Sequence, residues 1–280
     1  MTVRRSLALA TIGNYATVLI AFLTNVIVAR ELTPAELGLF AISLAMTGLL
    51  DALREGGVNA YIIQHKTGGL NVLQSAFTAA VVLSALSAVL LFGAAPLAGE
   101  FFNASDIKWL LWTIGLGFLL YPFAATLMAS LQREMRFRAL LGIEVTASLV
   151  QSGVTLALLF TGFGVFSLAI AIVAAGAARA ILSFWVIPDL KRFRINIAGM
   201  SSVLRFSAIA TGSLILEQIK NGAFAVIAGR MIGPTPVGLA DRSKALISLY
   251  DKVIAGMYPV LLPAFADFHL RSLGTFGGDL

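Results

Sequence analysis

Apolar runs of about 20 residues, the length of one bilayer crossing, recur eight times along this 280-residue chain. They lie near 7–29, 37–53, 76–98, 107–130, 139–160, 164–187, 203–229 and 237–262. Hydrocarbon offers the backbone no water to bond, so a spanning segment must be a helix or part of a closed barrel. Barrel strands would alternate between lipid-facing and lumen-facing residues in short segments, whereas these runs are apolar throughout. The expected fold is an all-α polytopic membrane helix bundle of about eight transmembrane helices. A hydrophobic fraction of 59%, a charged fraction of 12% and a mean hydropathy of +0.91 exclude an ordinary soluble enzyme.

Basic residues set the expected orientation. With the N-terminus in the cytoplasm, twelve cations fall on the inner side: Arg4, Arg5, Arg54, Lys66, Arg133, Arg136, Arg138, Lys191, Arg192, Arg194, Arg205 and Arg271. Three fall outside, at Arg30, Lys108 and Arg230. That asymmetry is the positive-inside pattern. It accounts for the net charge of +6 without a nucleic-acid partner. The cluster Lys191-Arg192-Phe193-Arg194 has a second reading, as a patch for RNA or lipid phosphate. The N-terminal apolar run is too long for a cleaved leader and reads as a retained signal anchor. The chain has no cysteine, so disulfide and thiolate chemistry are absent.

An internal repeat with a period of about 200 residues organises the rest. Val26, Ile27, Arg30, Pro34, Gly38, Leu39, Ser43, Ala45, Leu49 and Asp51 match Val226, Ile227, Arg230, Pro234, Gly238, Leu239, Ser243, Ala245, Leu249 and Asp251. Six crossings separate the copies, so both run in the same sense, as parallel repeats about an axis along the membrane normal. The expected division is a six-helix lobe over 1–195, the first two helices of a second lobe over 196–265, and a tail over 266–280. Residues 188–205 read as the linker, part of it along the membrane surface. Arg30 and Arg230 recur at the same outer turn, which suggests that each caps a helix C-terminus.

Charges inside the spans carry the chemistry. A charged side chain at mid-membrane costs about 2.5–3.5 kcal/mol on insertion scales, so it should face protein or water. Ser213, Glu217, Lys220 and Asn221 share one helical face, as do Asp241, Lys244, Ser248, Asp251 and Lys252. Glu144, Ser148, Gln151 and Thr155 form a narrower stripe, and Thr11, Asn14, Tyr15 and Asn25 a neutral one. Such stripes fit a hydrated central cavity. The alternative is local neutralisation, with Glu217 paired to Lys220 and Asp241 to Lys244. Arg179 stands nearer a helix end and has a snorkelling alternative.

Other motifs carry little. Gly162-Phe163-Gly164 is a tight turn rather than a phosphate loop, because no strand precedes it and no Lys-Ser pair follows. His65 and His269 are the only histidines and too far apart for a metal site. Asn103-Ala104-Ser105 is a glycosylation match too short to weigh. No nucleophile triad is present, so no enzyme activity and no cofactor are expected.

Several stretches resemble a known family. Val28 through Phe40 (VARELTPAELGLF), Asp51 through Gln64 (DALREGGVNAYIIQ), Gln132 through Arg138 (QREMRFR) and Gly162 through Leu168 (GFGVFSL) are similar to the Wzx-type polysaccharide flippases. These are lipopolysaccharide and exopolysaccharide exporters of the multidrug/oligosaccharidyl-lipid/polysaccharide transporter superfamily. Members have two lobes around a central cavity. The likeness stops near residue 265, so the chain is expected to be one full lobe and the opening of another. Its residues Arg271–Leu280 then read as an unstructured tail after an interrupted frame.

The resemblance implies a multi-pass protein of the bacterial cytoplasmic membrane that moves a polyprenyl-diphosphate-linked oligosaccharide by alternating access. It implies H⁺ or Na⁺ as the coupling ion, and a polysaccharide polymerase and chain-length regulator as partners. Lys220, Lys244, Lys252 and Arg179 would then contact phosphate or acidic sugar, with Glu217, Asp251, Asp241 and Glu144 tuning them or carrying the coupling ion. Two other readings stand beside it. A multidrug extruder would show an acidic, cation-selecting cavity, and a scaffold of a polysaccharide assembly complex would tolerate uncharged cavity helices. A membrane glycosyltransferase would need an acidic metal motif in a large loop, which the sequence lacks.

Overall fold

The computed structural model describes residues 3–55, 57–64 and 69–255. The described residues form nine α-helices and one 3₁₀ turn, with no strand among them. They are α1 (Val3–Glu31), α2 (Pro34–Glu55), α3 (Val58–Gln64), α4 (Leu70–Phe101), α5 (Ser105–Arg133), α6 (Phe137–Phe160), α7 (Phe166–Val186), α8 (Met200–Met231) and α9 (Pro234–Ala255). The chain is an all-α membrane helix bundle. Five stretches are long and apolar enough to cross a membrane: Pro34–Ile63, α4, α5, α6 and α7. The other three expected spans coincide with α1, α8 and α9, which are 29, 32 and 22 residues long. The C-terminal part of the last expected span, the tail and Lys66 lie outside the described residues.

Helix starts and stops follow the local chemistry. A reciprocal capping box opens α2: the Thr33 amide and hydroxyl both donate to Glu36 Oε2, at 2.9 and 2.8 Å, and the Glu36 amide donates to Thr33 Oγ1 at 3.3 Å. The expected tight turn joins α6 to α7, with Gly162 and Gly164 at φ +89° and +54°, where a Cβ would be strained. Helix α3 was not foreseen, because seven residues are too few to register as a span.

Neighbours in the chain and distant helices both pack side by side. α5 lies along α4 and α7, α6 along α7 and α1, and α2 along α8 and α9. Large aliphatic side chains at Ile42, Leu91, Ile107, Leu110 and Leu111 are fully buried where α2, α4 and α5 meet. The two repeat copies touch each other directly. A Cβ on Gly38 would collide with the Pro234 carbonyl, and a Cβ on Gly238 would collide with the Pro34 carbonyl. Each glycine thus meets the proline of the other repeat copy. Further along α2, Ile42 fits over Gly229 and Ala45 over Gly222, so α8 also approaches closely.

The linker between α7 and α8 is fastened down. Asp189 caps the 3₁₀ turn Leu190–Phe193 by accepting from the Lys191 amide at 3.1 Å. Gln74 of α4 donates to the Lys191 carbonyl at 2.9 Å, and Thr78 Oγ1 accepts from the Asn196 amide at 2.8 Å. Phe193 packs edge-on against Phe77 with centroids 5.1 Å apart, and sits 5.6 Å from Phe123. Residues Met200–Phe206, expected along the surface, instead form the first turns of α8.

Candidate functional site

A chamber of about 500 Å³ opens between α2, α5, α6 and α7. The space exists because the walls present little bulk: Gly117, Ala124, Ala125 and Ala129 from α5 and Gly176 from α7. Pro122 also interrupts α5 beside it, since a proline nitrogen cannot bond the carbonyl of Phe118.

One wall is built on Arg54, near the end of α2. Its guanidinium is paired with Asp51 one turn earlier. It also lies over the rings of Tyr121 and Phe118, with its central carbon 4.0 and 4.5 Å from the centroids, a favourable geometry for a desolvated cation. The Arg54 side chain is 12% exposed. Asn59 of α3 donates from Nδ2 to the Tyr121 hydroxyl at 3.2 Å and joins the lining, as does Glu55. The Arg54 Nε and the Asn59 Oδ1 are both buried with no partner among the described residues. The other wall is a second pair: Arg179 Nε of α7 donates to Glu144 Oε2 of α6 at 3.2 Å. Three carboxylates (Asp51, Glu55, Glu144) face two guanidiniums (Arg54, Arg179), leaving one net negative charge in the lining.

The expected site residues separate into two groups. Arg179 and Glu144 come together in this chamber. Glu217, Lys220, Asp241 and Lys244 do not line it; they sit exposed on α8 and α9. Lys244 Nζ lies 5.4 Å above the Phe224 ring, which links α9 to α8. Neither Glu217–Lys220 nor Asp241–Lys244 comes within ion-pair distance among the described residues, although Lys244 stands near enough to act on the Asp241 carboxylate. The side chains of Asp251 and Lys252 lie outside the described residues, although their backbone belongs to α9. Arg230 stands in the last turn of α8, where a cation favours the helix dipole, and its guanidinium lies 4.9 Å over the Phe101 ring.

Several residues escaped the sequence reading. Arg54 was counted only as a topogenic charge and Asp51 only as a repeat position; their i,i+3 spacing was the available signal. Tyr121 and Asn59 gave none. Arg242 is a cation inside a span, visible in the sequence, and its Nη2 donates to the Leu32 carbonyl at 2.8 Å. It thereby satisfies an end carbonyl of α1 from across the bundle.

The two ends of the bundle differ in charge. Connections at the end where α5 gives way to α6 and α7 to α8 carry seven cations (Arg133, Arg136, Arg138, Lys191, Arg192, Arg194, Arg205) against Glu134 and Asp189. The opposite end carries Arg30, Lys108 and Arg230 against Glu31, Glu36, Glu100 and Asp106. There Lys108 stacks over Trp112 and Trp109, at 4.7 and 5.2 Å.

Long apolar helices around a charged chamber define a multi-pass membrane protein. The chain belongs to the polysaccharide biosynthesis protein family, whose pattern it matches over residues 27–271. It is 23% identical over 267 residues to the succinoglycan biosynthesis transport protein ExoT of Rhizobium meliloti, covering 95% of this chain and 54% of that one. It is 26% identical over 216 residues to the lipopolysaccharide biosynthesis protein WzxC of Escherichia coli, covering 76% and 44%. The teichuronic acid biosynthesis protein TuaB of Bacillus subtilis is 20% identical over 196 residues, covering 69% and 40%. The chain thus spans about half the length of these relatives. A solved structure of a chain called protein A shares the fold, with a TM-score of 0.67 at 16% identity over 92% of this chain and 64% of that one.

Proposed function

We propose that this chain takes part in moving a polyprenyl-diphosphate-linked oligosaccharide across the bacterial cytoplasmic membrane by alternating access. The single observation that carries this reading is membership of the polysaccharide biosynthesis family along residues 27–271. Relatives named for transport or biosynthesis of succinoglycan, lipopolysaccharide and teichuronic acid support it. We take residues 1–195 as one lobe and α8 and α9 as the start of a second. The exposed charges Glu217, Lys220, Asp241 and Lys244 then face a water-filled path, where an anionic headgroup would meet Lys220 and Lys244. Lipid would penalise those charges. Asp251 and Lys252 continue the same face in the repeat register. The N-terminus lies in the cytoplasm in this reading, and the polymerase and chain-length regulator act on the delivered unit.

The net negative chamber suits a coupling cation, H⁺ or Na⁺, held by Glu144 or by the Asp51–Glu55 wall. The same charge balance favours a second reading, in which the chamber admits an organic cation and the protein extrudes drugs. Both are tested in proteoliposomes containing the full chain, by following lectin accessibility of a polyprenyl-diphosphate-linked sugar and efflux of a cationic dye. Flipping should be abolished in Lys220→Ala, Lys244→Ala and Glu144→Gln at unchanged protein level. Dye efflux without sugar flipping would reject the first reading in favour of the second. Flipping that is indifferent to all three substitutions would remove these residues from the mechanism.

A further inference from the structure

The linker end of the bundle presents cations that no carboxylate neutralises. Glu134 and Asp189 are already engaged: Arg192 Nη2 reaches Glu134 at 3.6 Å and its Nε reaches Asp189 at 3.2 Å, while Arg136 shares Glu134 at 3.8 Å. Arg138, Lys191, Arg194 and Arg205 are exposed, with no ion-pair partner among the described residues. The Arg192–Glu134 contact holds the linker against the α5–α6 connection, so these cations gather at one rim. Beside them stand Trp185, Ile195 and Ile197, at 75, 73 and 69% exposure. Basic and bulky apolar side chains interleaved at the mouth of a membrane bundle match a headgroup layer, where the chains enter the acyl boundary and the cations meet phosphate.

Rigidity distinguishes this rim from an ordinary solvated loop. Backbone groups of Lys191 and Asn196 are bonded to Gln74 and Thr78 of α4, and Phe193 packs half-buried among aromatic rings. The linker is thus anchored through its backbone and through Phe193, which leaves Lys191, Arg194, Ile195 and Ile197 facing outward without a structural task.

We infer that this rim is a docking surface for anionic phospholipid headgroups, with Lys191, Arg194, Arg138 and Arg205 holding phosphate and Ile195 and Ile197 entering the acyl boundary. It is separate from the chamber and independent of what the chamber transports.

Native mass spectrometry of the full chain in neutral detergent, titrated with phosphatidylglycerol or phosphatidylcholine, tests it. Phosphatidylglycerol should bind in preference, and raising salt should weaken it. A basic residue near an anionic surface contributes roughly fivefold in binding, so K191Q/R194Q together should weaken phosphatidylglycerol by about 25-fold. Should that pair disturb folding, R138Q/R205Q serves the same purpose on helix starts. R30Q, at the opposite end, should bind as the unaltered chain does, and I195S/I197S should lose affinity for the lipid. Equal binding of the two lipids, indifference to both double arginine and lysine variants, or an equal loss in R30Q would overturn the inference. Displacement by inorganic pyrophosphate at the lipid's own affinity would also overturn it, by assigning the rim to a free phosphate instead.

Discussion

The reciprocal contact between α2 and α9 gives the sharpest test of how the repeat copies meet. Placing a methyl group on Gly38 puts it against the Pro234 carbonyl, 2.5 Å from the carbonyl carbon. Carbon atoms pack best at about 3.5–4.0 Å, so the helices must separate by roughly 1–1.5 Å at that point. Backbone sits on the receiving side, and no side-chain rotation can relieve it. Gly38→Ala should therefore destabilise by about 1–3 kcal/mol, the usual range for overpacking. Gly238→Ala meets the Pro34 carbonyl and the Gly38 amide nitrogen, so it should behave alike. Because both strain one crossing, the double variant should lose clearly less than the sum of the two. Gly142 and Gly153 in α6 have nothing within 4 Å of a new Cβ. Alanine there should be neutral or stabilising by about 0.5–1 kcal/mol, as in a helix interior. Thermal or denaturant unfolding in detergent, followed by helical circular dichroism, measures all five proteins. Strict additivity, or a Gly38→Ala variant as stable as Gly142→Ala, would refute the reciprocal crossing.

Further outcomes follow from the other contacts. Arg242→Gln should lose about 1.5–3 kcal/mol, the range for a bond from a charged donor, and should speed hydrogen exchange at the Leu32 end of α1, read by mass spectrometry. Arg54→Leu should destabilise by about 1–3 kcal/mol through the partner it leaves unpaired, with Asp51→Leu added to it restoring part of the loss; thermal unfolding of the single and double variants decides. Tyr121→Phe removes only the bond from Asn59 and should shift stability by about 0.5–1.5 kcal/mol, while leaving the Arg54 stack in place. Arg179→Gln should leave Glu144 without its partner, and sodium-dependent protection of the chamber from a thiol probe at Gly176→Cys would register the change.

The helices were legible from the run lengths alone, because apolar length and backbone satisfaction leave a membrane chain few choices. Glu144 and Arg179 were found for a good reason: polar residues on greasy helices must find partners, and these found each other. Arg54 was missed because a basic residue near a helix end satisfies the orientation rule equally well whether it points into headgroups or back into the bundle. Only the rings of Phe118 and Tyr121, more than 60 residues away in the chain, decide which. Arg242 was hidden by the same long-range dependence, since its acceptor is a backbone carbonyl 210 positions earlier. Glu217 and Lys220 on one helix and Asp241 and Lys244 on the next could be read as two polar stripes from periodicity, but periodicity does not say that they stand outside the chamber.

The fastened linker limits where the molecule can bend. Phe193, Gln74 and Thr78 make the stretch up to Asn196 travel with α4 and α5. Any swing of α8 must then begin near Gly199, whose Cα leaves no room for a methyl group beside Ser75. The bend ahead of α8 is thus confined to Ile197–Gly199, and its looseness is set by how far that serine can withdraw.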